Sequence, residues 1–354
     1  MRKIIVAPGK YVQGAGEILS LADDYVELGS KKAYIIASSH VASNYHQQIV
    51  SGFEKKNIPF EMAVFGGECS CSEIDKHCKN LGNGDVIIGM GGGKVLDTAK
   101  AVAFYARMPV IIMPTVASND APCSRLSVIY KDNGEFESYL PLNKNPDMVI
   151  VAEAPTRFLA AGIGGALVTY YEASASIRAD VIAMSGGYVT RSAAALARLC
   201  LDTLFKDSVK AMKAVECHVC SQALENLIEA NIFLSGVGFE SCGLAAAHAI
   251  HNGLTTLEEC HKFLHGEKVA FGTLTQMVME DFPLEEIQKV IRLCKAVGLP
   301  TCFRDLNLDQ VSDERLLAAA VASCDKHDTM VNMSFEVKPG DVVAAMKVAD
   351  RLGQ

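Results

Sequence analysis

The first 150 residues alternate between short apolar-rich runs and amphipathic stretches. Runs at Ile4–Ala7, Ala33–Ala37, Glu61–Phe65, Val86–Ile88 and Val110–Met113 read as strands. Between them, helical spacing of apolar positions marks Ile18–Leu28, Tyr45–Lys55, Glu73–Asn80 and Gly93–Tyr105. Strands and helices alternating in this way predict a parallel sheet with helices on both faces. Gly66-Gly67 and Gly82-Asn83-Gly84-Asp85 supply breaks. Two further runs, Leu126–Tyr130 and Phe136–Tyr139, flank Asp132-Asn133-Gly134 and read as a hairpin. The run Met148–Val151 closes the region as a last strand.

From about Ala152 the pattern turns helical. Ser192–Leu204 and Leu316–Cys324 are Ala-rich with apolar residues at helical spacing, and Leu284–Val297 stops at Gly298-Leu299-Pro300. The expected fold is therefore α/β plus all-α. A Rossmann-like parallel-sheet domain spans 1–152 and a helical bundle domain spans 153–354, with ligands expected in the cleft between them.

Composition narrows the picture. A length of 354 residues suits two domains. No apolar run approaches the ~18 residues of a membrane-spanning helix. The start, Met1-Arg2-Lys3-Ile4-Ile5-Val6 followed by Pro8-Gly9, reads as a strand rather than a signal peptide. A net charge of −8 argues against nucleic acid or an anionic membrane as partner. Twelve cysteines without a secretion signal predict reduced thiols and a cytoplasmic protein. Cys69-x-Cys71 and Cys217-His218-Val219-Cys220 have no second pair at zinc-finger spacing, so no thiolate metal site is expected.

Three stretches carry candidate chemistry. The first is Asp85–Lys100, where an apolar strand runs through Gly91-Gly92-Gly93-Lys94 into a helix. Glycines let a ligand approach the backbone, and the unpartnered N–H groups of the helix start attract a pyrophosphate. Neither familiar phosphate motif fits, because Val95 stands where a P-loop needs Ser or Thr and Lys94 where G-x-G-x-x-G needs Gly. The second is Pro114–Ser124, directly after a strand. Thr115, Ser118 and Ser124 are placed to bond a nucleotide and Asp120 a substrate hydroxyl, unless Asn119-Asp120 only closes a polar turn. The third pairs Ala247–Gly253 with His265-Gly266-Glu267-Lys268. His248 and His251 share one helical face, where imidazoles either bind a divalent metal or serve as hydrogen-bonded structural groups.

These stretches resemble the metal-dependent, iron-containing alcohol dehydrogenase family, and within it the glycerol-oxidising branch. The resemblance runs through Pro8–Tyr11, Phe65–Ser70, Gly91–Lys100, Pro114–Tyr130, Gly236–Leu254 and His265–Gln276, nearly the whole chain. It implies NAD in the cleft, Zn²⁺ or another divalent ion, a small polyol such as glycerol as substrate, and a homo-oligomer. It also implies that Gly93, Lys94, Asp97, Thr115, Ser118, Ser124, Leu126 and Tyr130 contact the cofactor, beside Gly91 and Gly92. By the same resemblance Asp120 meets the polyol, while His248 and His265 bind metal and substrate.

The chain departs from the family pattern at three places. In Ala161-Gly162-Ile163-Gly164-Gly165-Ala166-Leu167, Gly165 stands where the family has a metal-binding Asp. Glu172 follows seven residues later, about 10 Å along a helix, too far to replace it. The segment 149–155 is shorter than in the family, and Ser38 stands where relatives place an Asp on the adenosine ribose. The expected protein is an NAD-dependent polyol dehydrogenase with a depleted metal site. The alternative is a catalytically silent relative that binds nucleotide or regulates.

Overall fold

The structure, a computed structural model, describes residues 1–151 and 156–354. The expected domain boundary at 152/153 lies outside the described residues. By internal contacts the chain forms two compact units. One holds Ala7–Ala117 and the stretch from Ala121 to the end of the last strand. The other holds Met1–Val6, Ser118–Asp120 and the helices that follow.

The first unit contains β1 (Lys10–Gln13), α1 (Leu21–Tyr25), β2 (Ala33–Ala37), α2 (Ser39–Asn44), α3 (His46–Lys55), β3 (Phe60–Val64) and α4 (Cys71–Asn80). It continues with β4 (Val86–Gly91), α5 (Gly93–Ala106), β5 (Val110–Pro114), β6 (Leu126–Tyr130), β7 (Phe136–Pro141) and β8 (Met148–Val151). Six strands form a parallel sheet in the order β1-β8-β5-β4-β2-β3. Every residue of β2, β4, β5 and β8 is buried, as expected of strands covered on both faces. Tyr25, Ile35, Phe53, Ile88, Ile111 and Ile150 anchor the core on one side of the sheet. The chain runs outward from β2 to β3, returns with β4 beside β2, and continues on the other side with β5. That reversal makes the carboxyl end of β4 a switch point, the place where open sheets of this kind receive ligands. The antiparallel pair β6–β7 is the expected hairpin, with an irregularity at Ile129/Tyr130.

Three elements differ from the expectation. The first strand is Lys10–Gln13, not Ile4–Ala7. Pro8 has no N–H to give a ladder, and Gly9 enters the sheet region because a Cβ there would meet the Asp147 carbonyl at 2.7 Å. Ile4 and Val6 bond instead to Tyr188 O (3.2 Å) and Ser241 Oγ (3.1 Å) in the helical unit. The helix expected over Ile18–Leu28 shrinks to a short turn and α1, and Ser38 starts an unexpected short helix, α2, by capping the Val41 N–H at 3.2 Å.

The second unit comprises α6 (Thr156–Arg178), α7 (Arg191–Glu216), α8 (Gln222–Glu229), α9 (Ser235–Cys242), α10 (Ala246–Leu254), α11 (His265–Met279), α12 (Leu284–Val297), α13 (Asp313–Ser323) and α14 (Pro339–Gly353). Glycines bring three of these helices backbone to backbone. A Cβ on Gly164 of α6 would penetrate the Gly266 carbonyl of α11, and one on Gly272 of α11 would lie 2.5 Å from the Ala247 carbonyl of α10. This close contact of α6, α10 and α11 fixes where their side chains converge. Among the described residues no single helix is long and apolar enough to cross a membrane.

Candidate functional site

Each unit carries one candidate site. In the α/β unit the last residue of β4, Gly91, has φ +153°, and a Cβ there would crowd Val95 Cγ2 at 3.0 Å and Ser38 Cβ at 3.1 Å. Gly92 caps α5 with no side-chain bond, and the space its Cβ would occupy is open. The first hydrogen bonds back to Gly92 O come from Val95 N and Leu96 N, so the N–H groups of Gly93 and Lys94 face outward unused by the helix. An uncapped helix start behind bare glycines is a fitting cradle for a dinucleotide pyrophosphate.

The expected cofactor contacts divide around this cradle. The Lys94 ammonium sits 2.5 and 2.7 Å from the Glu68 carboxylate oxygens and 4.7 Å from the centre of the Tyr130 ring. Burial pushes the Tyr130 phenol up to about 12, so it stays a neutral surface. Thr115 follows the end of β5, its N–H donating to Gly91 O at 3.1 Å. Asp97, in contrast, faces into the fold, pairing with Lys100 at 2.9 Å and accepting from Val128 N at 3.1 Å. Ser124 is buried and donates to Ala121 O at 3.0 Å, and the Leu126 carbonyl takes the Lys100 ammonium at 2.5 Å. Lys100, fully buried, also reaches Ala121 O at 3.0 Å and so pins the 121–126 loop to α5. The sequence offers no signal for this role, because its carbonyl partners lie 21 and 26 residues away. Ser118 groups with the helical unit together with Asp120.

In the helical unit Glu172 of α6 is fully buried, and both of its oxygens serve His248. Oε1 accepts the His248 backbone N–H at 2.8 Å and Oε2 the ring Nδ1–H at 2.6 Å. An ionised carboxylate only accepts, so Nδ1 carries the hydrogen and Nε2 presents a lone pair. Burial opposes a charged ring here, yet Glu172, then Asp120 and Asp328, hold the His248 pKa above its ordinary value. A second chain of bonds sets the other rings. His251 Nδ1 meets Asn252 Oδ1 at 3.0 Å, and its Nε2 meets His265 Nδ1 at 3.1 Å. The consistent tautomers leave His265 Nε2 bare as well. The rings of His248 and His265 lie 5.3 Å apart, centre to centre.

His265 presents an exposed surface. Desolvation first, then His251, His248 and Lys268, depress its pKa well below the usual range. Desolvation and Lys268 push His251 down to about 3. Asp120 accepts from Ser235 Oγ at 2.6 Å, and burial raises its pKa. Ser235 follows a π turn, Ala230–Leu234, which shifts the register of the helix just before it. Glu172 and Ser235 were missed as positioning groups, since their partners lie 76 and 115 residues away.

Two neutral imidazoles do not by themselves fit a resident divalent ion. A lasting centre needs at least a third protein ligand, and an anionic one offsets part of the charge. Gly165 supplies none, and a Cβ built on it meets nothing within 4 Å. Glu172 is spent on His248, and among the described residues no group of three or more His, Cys, Asp or Glu side chains has the geometry to hold a metal.

A model of the family described as iron-containing alcohol dehydrogenase matches residues 8–153. Over its full length the chain is 48% identical to the glycerol dehydrogenase of Escherichia coli O6:H1, covering 98% of that relative. The chain belongs to the iron-containing alcohol dehydrogenase family. Another member, the glycerol dehydrogenase of Thermotoga maritima, is 48% identical across 99% of the chain and 97% of its own length. The fold agrees: the crystal structure of glycerol dehydrogenase from Schizosaccharomyces pombe superposes with a TM-score of 0.96 at 38% identity, over 99% of this chain and 91% of that one. These relatives match the chain across both of its units.

Proposed function

We propose that this family member is an NAD-dependent dehydrogenase that oxidises glycerol or a related small polyol to the hydroxyketone. The observation that carries the reading is the Glu172–His248 pair at 2.6 Å, which aims a bare Nε2 beside a bonded Asp120 in a chain 48% identical throughout to a glycerol dehydrogenase. Gly91, Gly92, Gly93 and Lys94 would hold the pyrophosphate, with Thr115 and Tyr130 lining the approach. NAD, when bound, supplies a nicotinamide ring able to accept hydride. Asp120, steadied by Ser235, orients a substrate hydroxyl, and His248 Nε2 receives the proton of the reacting one. Glu172 holds the imidazole in the tautomer and direction for that transfer and balances the charge it gains.

Zn²⁺ has no complete ligand set here, and no step above depends on it. Purified protein supplied with glycerol and NAD should form NADH without added metal. Glu172→Gln should lower kcat by about ten- to a hundredfold, the usual effect of losing such an orienting partner, while NADH affinity stays unchanged. If the wild type forms no NADH yet binds it, the silent nucleotide-binding relative is the correct reading; the open space at Gly165 is the observation that favours it.

A further inference from the structure

The bare nitrogen of His265 ends a chain of hydrogen bonds with two allowed directions. The Asn252 amide and the rings of His251 and His265 each have one side that donates and one that accepts. Run one way, His251 Nδ1–H donates to Asn252 Oδ1 and His265 Nδ1–H donates to His251 Nε2, which leaves His265 Nε2 bare. Run the other way, Asn252 donates to His251, His251 donates to His265, and His265 Nε2 ends as a donor. The same atoms at the same distances accommodate both. Both rings stay neutral, so charge on them does not choose between the two.

Among the described residues, Asp328 decides between them. Its Oδ2 accepts from Asn252 Nδ2 at 2.9 Å, and a carboxylate has no hydrogen to return. The Asn252 nitrogen therefore faces Asp328, and its oxygen faces His251. Reversing the amide would set two acceptors against each other and lose a charge-assisted bond. Asp328 is itself held in place. Its Oδ1 accepts the Thr329 N–H at 2.6 Å, capping the short helical turn Thr329–Asn332. That turn is tied to the entry of α10, where Thr329 Oγ1 donates to Ala245 O at 2.7 Å and Asn332 Nδ2 to Leu244 O at 2.8 Å. α10 in turn carries His248, His251 and Asn252, and all of these groups belong to the helical unit.

We propose that Asp328 is a positioning residue that sets the direction of this chain, so that His265 Nε2 accepts a hydrogen bond from a second hydroxyl of the polyol. The role rests on the histidine centre being the substrate site. With His248 Nε2 likewise bare, the centre offers two acceptors to a molecule whose hydroxyls donate. A neutral diol satisfies both. An alcohol with one hydroxyl satisfies one, and a carboxylate, which only accepts, satisfies neither.

Nitrogen NMR of the full-length protein, with isotope-labelled histidine rings, reads the tautomers without substrate. His265→Gln identifies the His265 signals by their loss. Wild type should carry hydrogen on Nδ1 of both His251 and His265. Asp328→Asn keeps the shape but can give a hydrogen as well as take one, so both tautomers of His265 should appear. Its KM for glycerol should rise by about tenfold with kcat within about twofold, because the lost contact holds bound substrate and transition state alike. Adding Asn252→Asp to that variant restores the wild-type charge and puts an acceptor-only group against His251. The double variant should regain the single tautomer and most of the KM. Hydrogen on His265 Nε2 in the wild type, or a tautomer and KM unmoved by Asp328→Asn, overturns the proposal. So does a double variant whose KM stays at that of Asp328→Asn. Glycerol binding by calorimetry with NADH present replaces KM where wild type forms no NADH, so failure of the dehydrogenase reading leaves this test intact.

Discussion

The glycine loop of the α/β unit and the histidine centre of the helical unit are built from different materials. The loop offers backbone: the N–H groups of Gly93 and Lys94, left free by the helix behind Gly91 and Gly92, which carry no side chain. The histidine centre offers side chains, each aimed by another: Glu172 on His248, Asn252 and His251 on His265, Ser235 on Asp120. A backbone site survives every substitution that keeps its glycines. A side-chain site can lose a ligand with one codon while its supporting groups stay in place. The glycine loop thus depends on few side chains, while the histidine centre depends on several that hold one another.

The strongest way to break this comparison is to give the loop a side chain. Gly92 has φ −88° and ψ 179°, ordinary extended backbone, and its Cβ would enter open space. Gly92→Val should therefore fold normally and place its methyl groups where the pyrophosphate approaches. NADH affinity should fall by more than about a hundredfold, roughly 2.7 kcal/mol. Fluorescence titration with NADH, beside a thermal melt, measures both. Unchanged affinity in a folded variant would remove the loop from the cofactor site. Gly91→Val would be a poorer test, since its φ of +153° and the contacts with Val95 and Ser38 would strain the fold itself.

The next test adds a carboxylate to the histidine centre. Gly165→Asp adds one carboxylate to two bare imidazole nitrogens, neutralises half the charge of a divalent ion and meets no steric barrier at Cβ. Zn²⁺ affinity should rise by about ten- to a hundredfold over the wild type. Metal titration by calorimetry checks it. Stoichiometric tight zinc in the wild type would mean that the two-imidazole description is incomplete.

The contrast also explains what could be read from sequence. The sheet was legible because β2, β4, β5 and β8 are buried on both faces and appear as unbroken apolar runs. The loop was legible because its chemistry is local, four residues at a strand end. Ile4–Ala7 misled for the same reason: it has a strand's composition, but Pro8 and Gly9 put the pairing segment further along. His248 and His265 stood out as residue types. Glu172 did not, because the sequence shows its distance along α6 from Gly165 but not that both oxygens turn toward α10. Nothing in the sequence marks Lys100 as buried; only the packing around it does.

The smallest effect concerns the edge of the loop, where backbone and side chain share the work. Ser38 follows β2 and caps α2, and its Cβ lies 3.1 Å from where a Gly91 Cβ would stand, so it borders the glycine loop directly. A serine there offers one hydroxyl already accepting from Val41 N, and no charge to repel a 2′-phosphate. NADP(H) should therefore be only mildly disfavoured against NAD(H). Ser38→Asp keeps the cap, because aspartate serves that position as well as serine does. It adds a negative charge at the strand end, where a second hydrogen bond to the NAD ribose strengthens one cofactor and repulsion weakens the other. The preference for NAD over NADP should rise by about three- to tenfold, since a partly solvated charge is worth roughly 1 kcal/mol. Steady-state constants for both cofactors, repeated at high salt, provide the check: the added preference should shrink as salt screens it. A ratio indifferent to both the substitution and the salt would place the ribose away from Ser38, and with it the assumption that this loop binds the cofactor as its relatives do.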